Sequence, residues 1–259
     1  MRSFMNQAVA ATTALSLFVS LGSSAAALPQ GAELSTLAIE GDPIPGTGLR
    51  WGAIREIQSG AGSDWVAIAR LESPGGSTED AIVGDPTPDG SQGLAILRRA
   101  MTIGGVAQAR LGGCAISEGR IGYLAASSSS EPGFESVWID DQLIAESGDA
   151  IGTTGEVWGR FFDLDLRPGG KVFIRGEVVG VGSAVYAVHT DEFLIKVGDS
   201  IPNFGGPVAS FDRVELSPNG EHSLISIRRQ QAQRQALVLD GSLLLVGSLA
   251  AVEGRLIDP

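Results

Sequence analysis

Cysteine is nearly absent from this chain: Cys114 stands alone among 259 residues. One cysteine forms no internal disulfide, so stability has to come from a buried core, which a chain of about 230 residues is long enough to supply. Cys114 sits in Leu111-Gly112-Gly113-Cys114-Ala115-Ile116, a small and apolar setting that reads as a buried, inert thiol. Histidine is represented only by His189 and His222, and lysine only by Lys171 and Lys196. With a formal net charge of −12, the chain lacks the clustered base that nucleic acid or an anionic membrane requires. Its acids are scattered, as on a solvated surface. Zinc-ligand spacing, a phosphate loop and a dinucleotide fingerprint are all missing.

Long apolar runs are missing too. The longest, Ala8 to Leu21, follows a start whose one charge is Arg2 and precedes small residues ending Ala25-Ala26-Ala27. It falls short of the roughly 20 residues that span a bilayer. A short positive start, a short apolar stretch and small residues before a cut describe a cleaved secretory signal over residues 1–27. The expectation is an exported chain, periplasmic or extracellular, whose mature part (28–259) does not insert in a membrane.

Glycine, by contrast, is abundant, at 36 residues, with 12 prolines, and neither recurs with the period of three that collagen needs. The glycines punctuate a repeat. Ile57-Gln58-Ser59-Gly60-Ala61-Gly62, Ala115-Ile116-Ser117-Glu118-Gly119, Leu166-Arg167-Pro168-Gly169-Gly170 and Leu216-Ser217-Pro218-Asn219-Gly220 align at intervals of about 50 residues. Before the turn, Phe162-Asp163-Leu164-Asp165-Leu166 and Phe211-Asp212-Arg213-Val214-Glu215-Leu216 alternate in polarity, as strands with one buried face do. After it come Trp65–Ala69, Ile121–Ala125, Val172–Arg175 and Leu224–Ile227, all β-prone. A second hairpin follows, clearest in Leu237-Val238-Leu239-Asp240-Gly241-Ser242-Leu243-Leu244-Leu245, where Asp-Gly favours a primed turn.

Four strands per copy, repeated at about 50 residues, are the sequence image of a propeller blade. The predicted fold is all-β and β-propeller-like, with about four four-stranded antiparallel blades. Leu34–Glu40 reads as the last strand of a copy and could pair near Arg255-Leu256-Ile257, so either four blades or five with a composite closing blade fit. An open stack of meanders is the alternative. Copies end in a Gly-Asp phrase: Gly41-Asp42-Pro43-Ile44-Pro45-Gly46, Gly148-Asp149-Ala150-Ile151-Gly152 and Gly198-Asp199-Ser200-Ile201-Pro202. Gly84-Asp85 looks similar, but its position suits the inner hairpin, with Gly104-Gly105 closing that copy.

Of these, Gly41-Asp42-Pro43-Ile44-Pro45-Gly46 and Gly198-Asp199-Ser200-Ile201-Pro202 resemble the phrases of a family of exported bacterial tandem-repeat proteins, of planctomycete type, with a recurring Gly-Asp-x-x-Pro-Gly phrase; Asn203 replaces the last glycine in the second. Leu216-Ser217-Pro218-Asn219-Gly220 also resembles the turn phrase of TolB-type propeller repeats. Neither resemblance implies a catalytic residue.

Three kinds of chemistry remain to be weighed. Gly198-Asp199-Ser200-Ile201 resembles the nucleophile phrase of GDS-motif esterases. Such a serine needs a histidine base. No Asp stands three residues before His189 or His222, and Ser200 aligns with Pro43 and Ala150, so turn grammar explains it. Oxygen-rich Ca²⁺ sites draw on carboxylates. Asp42, Asp149 and Asp199 at the boundaries, and Asp163 and Asp165 on one strand face, are the candidates. No other cofactor is implied. A turn Asp more often binds local backbone N–H groups, and a strand pair more often faces water. Finally, Trp51, Trp65, Trp138 and Trp158 offer aromatic surface for sugar stacking. Trp65 and Trp138 read as core, while Trp51 and Trp158 fit either a packing or a rim role.

The sequence thus favours a non-enzymatic exported repeat domain that binds a ligand, a protein or a glycan, or has a structural role at the cell surface. The rival is a propeller enzyme that acts on extracellular glycans with Asp or Glu as acid and base. Outside the repeat stand the Pro86–Gly93 loop, Cys114 and the polar Arg228–Gln235 stretch.

Overall fold

The computed structural model describes residues 39–60, 64–87, 94–105, 107–127, 132–229 and 234–248. The expected signal segment (1–27), most of Leu34–Glu40, Gly62, most of the Pro86–Gly93 loop, the middle of Arg228–Gln235 and Arg255–Ile257 lie outside them. No helix among the described residues is long and apolar enough to cross a membrane. The chain forms two compact units. The first runs to Ile121 and includes Ser127–Ser129; the second comprises Gly122–Ala126 and everything from Ser130.

The fold is all-β, in the propeller-like class that the repeat predicts. Four four-stranded sheets follow one another, each with its strands in sequence order. The first holds β1 (Arg50–Ser59), β2 (Trp65–Glu72), β3 (Thr78–Asp85) and β4 (Ala95–Arg99). A kinked 3₁₀ segment, Ala100–Gly105, follows β4. The second sheet holds β5 (Arg110–Ser117), β6 (Arg120–Ala126), β7 (Ser136–Ile139) and β8 (Gln142–Glu146). The third holds β9 (Trp158–Arg167), β10 (Lys171–Val178), β11 (Gly182–Ala187) and β12 (Glu192–Lys196). The last holds β13 (Val208–Leu216), β14 (Ser223–Arg229), β15 (Arg234–Leu239) and β16 (Ser242–Ser248). Asp85 ends β3, and Gly104-Gly105 ends the connection after β4, which settles the register of the first copy.

Local chemistry repeats along with the strands. Two consecutive residues with positive φ close hairpins at Glu118-Gly119, Asp140-Asp141 and Asp240-Gly241, the backbone of the primed turn. Extra residues recur at fixed places. Arg55, Phe162 and Asp212 are left over in the first-strand ladders, each just after a partnered Ile54, Phe161 or Phe211. In the fourth strands Leu97, Ile144, Leu194 and Leu244 are the unpaired residues. A bulge twists its strand and breaks the ladder. Placed on the fourth strand, which ends each sheet, it also discourages edge-to-edge pairing.

The boundary phrase is a backbone clasp. Gly41, Gly148 and Gly198 donate to the carbonyls of Trp51, Trp158 and Val208, and those residues donate back to Asp42, Asp149 and Asp199. The three glycines have φ of 89°, 99° and 93°, a conformation that costs a side chain but not glycine. Thr47 and Thr154 tighten the clasp by donating their hydroxyls to Ile44 and Ile151. Phe204 stands at that place in the third phrase. Its N–H donates to Ile201, as those of Thr47 and Thr154 do to Ile44 and Ile151, but in place of a hydroxyl bond its ring enters a core with Val185, Ile195, Phe211 and Ile225. Trp51 packs in the corresponding core of the first sheet with Ile44, Leu71 and Val83. One turn geometry is therefore held by two side-chain chemistries, a hydroxyl or a buried ring.

Candidate functional site

The first strands carry the charge. On β9, Leu164 and Leu166 point into the core, so Asp163, Asp165 and Arg167 share the opposite face. On β13, Arg213 and Glu215 are outward in the same way. Three ion pairs run along these strands: Arg167 with Asp165 at 2.6 Å, Arg213 with Glu215 at 2.7 Å, and Arg228 of β14 with Asp212 at 2.5 Å.

Asp163 and Arg175 depart from this pattern. Arg175 on β10 is the register partner of Asp163 on β9. The two nevertheless form no ion pair, although they are opposite in charge and on adjoining strands. Asp163 uses Oδ1 to accept the N–H of Leu164 at 2.9 Å. The Arg175 guanidinium lies over the buried Phe211 ring, 5.5 Å from its centroid, and its Nε is buried with no hydrogen-bond partner. Here a cation is held by a ring face rather than by an anion.

Both aspartates are harder to ionise than usual. Removal of water by the surrounding strands pushes the Asp163 carboxyl up; the Leu164 N–H and the Arg175 charge oppose the shift and do not cancel it. Burial also raises Asp165, with Asp163 and Glu215 adding like charge and Arg167 pulling down. The two carboxyls share one strand face, their Cα atoms about 7 Å apart by strand geometry. Of the sequence-stated calcium candidates, these are the two that the structure places side by side.

The other candidates are local. The Asp149 carboxylate accepts the N–H of Glu146 and that of Asp199 accepts the N–H of Lys196, each at 2.8 Å. Asp42 occupies the same turn, exposed to solvent. Among the described residues no group of three or more His, Cys, Asp or Glu is placed to hold a metal ion. Ser200 bridges to Pro207 as part of the clasp. His189 packs edge-on against Phe173, and His222 bonds Asp240 at 2.8 Å, so both imidazoles have other work than serving Ser200. Trp51 and Trp158 are buried at the clasps, which assigns them to packing; Trp65 and Trp138 are half-buried. Cys114 is buried, its N–H donating to Glu56.

A second polar constellation lies in the third copy. The Tyr186 hydroxyl donates to Asp191, and Asp191 also accepts the Thr153 hydroxyl and N–H. Burial, and then the bond to and charge of Asp191, push Tyr186 up to about 12. Thr153 and Tyr186 hold Asp191 below the usual carboxylate range. Sequence reading did not single out these residues, nor Arg175. The available signal for Arg175 was a charge placed directly after the apolar run Val172-Phe173-Ile174, inside a β-prone stretch.

No protein-family model matches the chain. No curated protein matches it either. Among solved structures, one described as a crystal structure of glucose dehydrogenase is similar to it, at 11% identity over 78% of this chain and 74% of that one, with a TM-score of 0.36. Likeness at that level transfers neither activity nor site residues.

Proposed function

We propose that this chain is an exported, non-enzymatic repeat domain that holds a ligand or partner on the charged face of β9, β10 and β13. One observation carries the reading. Nearly every charge on that face is spent on a neighbour, through Asp165–Arg167, Arg213–Glu215 and Arg228–Asp212, while Asp163 and Arg175 face each other unbonded. A framework of internal pairs around one unspent pair suits recognition, where fixed groups meet a partner. The boundary aspartates and both histidines belong to turns and packing, which leaves this face as the chemically distinctive surface.

The test has two arms. Fractionation of cells expressing the full chain, followed by N-terminal sequencing, should find exported protein that starts at Leu28. Purified mature protein should then be retained on cell-envelope material, and Asp163→Asn should reduce that retention. Retention unchanged by Asp163→Asn and by Arg175→Lys would overturn the assignment of the face.

One observation favours the second reading, an enzyme that acts on extracellular glycans. Asp163 and Asp165 share one strand face, and burial raises both carboxyls, as a general acid requires. Release of reducing ends from glycans, abolished in both Asp163→Asn and Asp165→Asn, would establish it in place of the first.

A further inference from the structure

Pairing register lays side chains across each sheet in rows that share one face. In the third sheet one row holds Asp165, Phe173, Ala187 and Glu192, and the next holds Asp163, Arg175, Val185 and Ile195. At the same places the fourth sheet has Glu215, Leu224, Leu239 and Ser242, then Arg213, Ser226, Leu237 and Leu245. The rows of the third sheet are covered by the sheet that follows it: Val185 and Ile195 share a core with Phe211, Ile225 and Ile227. The second sheet is covered in the same way, since a Cβ at Gly122 of β6 would meet Leu164 and Leu166 of β9.

The fourth sheet has the residues for such a cover and stands open. Ala187 and Ile195 are each 1% exposed, whereas Leu239 and Leu245 at their places are 39% and 40% exposed. Leu244, beside them, is 58% exposed. Val246 is also exposed, and it stands where β8 has Glu146 and β12 has Lys196. A terminal repeat ordinarily turns a polar face outward, which keeps repeat proteins soluble. This one presents leucine, and a contiguous apolar patch of that kind marks a contact surface.

Charge decides what lies there. The chain carries −12, so a basic partner is drawn to its acid-rich surface. This face offers such a partner no excess acid, because its bases, Arg213 and Arg228, are each paired with an acid, Glu215 and Asp212. A second molecule of this chain brings a face equally neutral, equally aliphatic and of the same extent. It also reproduces the stacking of sheet on sheet that the chain uses internally. The Leu244 bulge opposes strand addition at the β16 edge, which leaves the face as the contact. Independently of the reading of Asp163 and Arg175, we infer that the leucine face of β14, β15 and β16 is a self-association surface, on which two molecules pack about a two-fold axis parallel to the strands. The axis passes beside Leu245, so Leu245 meets its own counterpart, and the charged β13 margins of the two molecules lie at opposite ends.

The experiment is sedimentation of the purified chain over about 1–100 μM, a range that brackets a micromolar dimer. A monomer–dimer equilibrium is expected. It should tighten as salt rises, because salt screens the repulsion between two acidic molecules and leaves the burial of leucine intact. Leu239→Ser and Leu245→Ser should each weaken the dimer at least about tenfold, since the two-fold axis doubles every loss of buried apolar surface. Val179→Ser, at a 60% exposed valine of the third sheet, should leave it unchanged. All three positions are open to solvent, so the variants should melt close to the parent chain. Leu245→Glu and Leu245→Lys should each be monomeric alone and should dimerise when mixed, a rescue that misfolded variants cannot give. A chain that stays monomeric throughout overturns the inference, as it would if another part of the chain or an unrelated partner covered the leucines. So does a dimer that loosens with salt, a dimer indifferent to both serine substitutions, or the absence of rescue on mixing.

Discussion

The Tyr186 hydroxyl donates to Asp191, and through that carboxylate the hairpin between β11 and β12 is fastened to Thr153 in the clasp before β9. Tyr186 is buried among Trp158 and Phe193, so its hydroxyl has little water to turn to. Tyr186→Phe should lower stability by about 1–2 kcal/mol, and Asp191→Ala should lower it by more because it leaves the buried Tyr186 hydroxyl without its acceptor. Urea unfolding of both variants checks the size and the order.

Tyr186 also predicts alkaline behaviour. Its pKa stands at about 12 in the folded chain against an ordinary value near 10, so the folded state keeps a proton that the unfolded state releases. The stabilisation is complete below about pH 10 and is lost as pH rises toward 12. In Tyr186→Phe the stability curve should be flatter across that window than in the parent chain. Equal slopes would refute the assignment.

Gly152 should tolerate no side chain. A Cβ there would overlap the Asp191 carboxylate and the Tyr186 hydroxyl, and its φ of +46° adds backbone strain. Gly152→Ala should cost about 2–3 kcal/mol and break the Tyr186–Asp191 bond. Gly155→Ala, at φ +77° but in open space, should cost about 1 kcal/mol. Melting temperatures of the pair separate the close contact from backbone strain alone.

Acid should act through Asp240. The Ser223 N–H, and then His222, hold its carboxyl below the usual range, so its contribution is present above about pH 4 and is lost as pH falls through the depressed folded value. Asp240→Asn, which tolerates the positive φ of 48° at this turn, should therefore lie below the parent chain in stability at pH 7 and converge with it at pH 2. A gap that persists at pH 2 would point to packing instead.

Asp163 carries the opposite sign. Its folded pKa is raised, so ionising it above about pH 4 costs stability. Asp163→Asn, which keeps the Leu164 bond, should melt at or slightly above the parent temperature at pH 7, with the advantage gone below pH 4. A residue that is better for folding when replaced is the pattern expected where binding is favoured over stability.

The strand plan was legible because its signals are local. Alternation in Asp163–Leu166, the Asp240-Gly241 turn and the recurring glycines each act over a few residues and need no tertiary partner to be read, whereas Phe162, read as the first inward residue of that strand, is the exposed extra residue of the ladder. The Gly-Asp phrases were legible as turns for the same reason, since Asp149 and Asp199 bind N–H groups only three residues back. The site was legible in half. Asp163 and Asp165 stand out as alternating charges, but Arg175 is paired with Asp163 only by β9–β10 register. Its failure to bond depends on Phe211, 36 positions further along the sequence. Tyr186, Asp191 and Thr153 were hidden similarly: a turn threonine, a strand tyrosine and a loop aspartate give no sign of meeting. The bulges at Arg55, Phe162 and Asp212 were invisible for a different reason, because an extra residue in a ladder leaves hydropathy almost unchanged.

The clasps make the end of one copy inseparable from the start of the next, because the glycine of each phrase is bonded to the opening strand that follows it. This fixes where the polypeptide tolerates new ends. A circular permutant opened between Asp140 and Asp141 severs one hairpin within a single copy, whereas one opened between Asp149 and Ala150 separates two copies at their shared fastening. It follows that a cassette for duplication or exchange should be cut inside hairpins, from one inner turn to the next, and not at the phrases that mark the repeat to the eye.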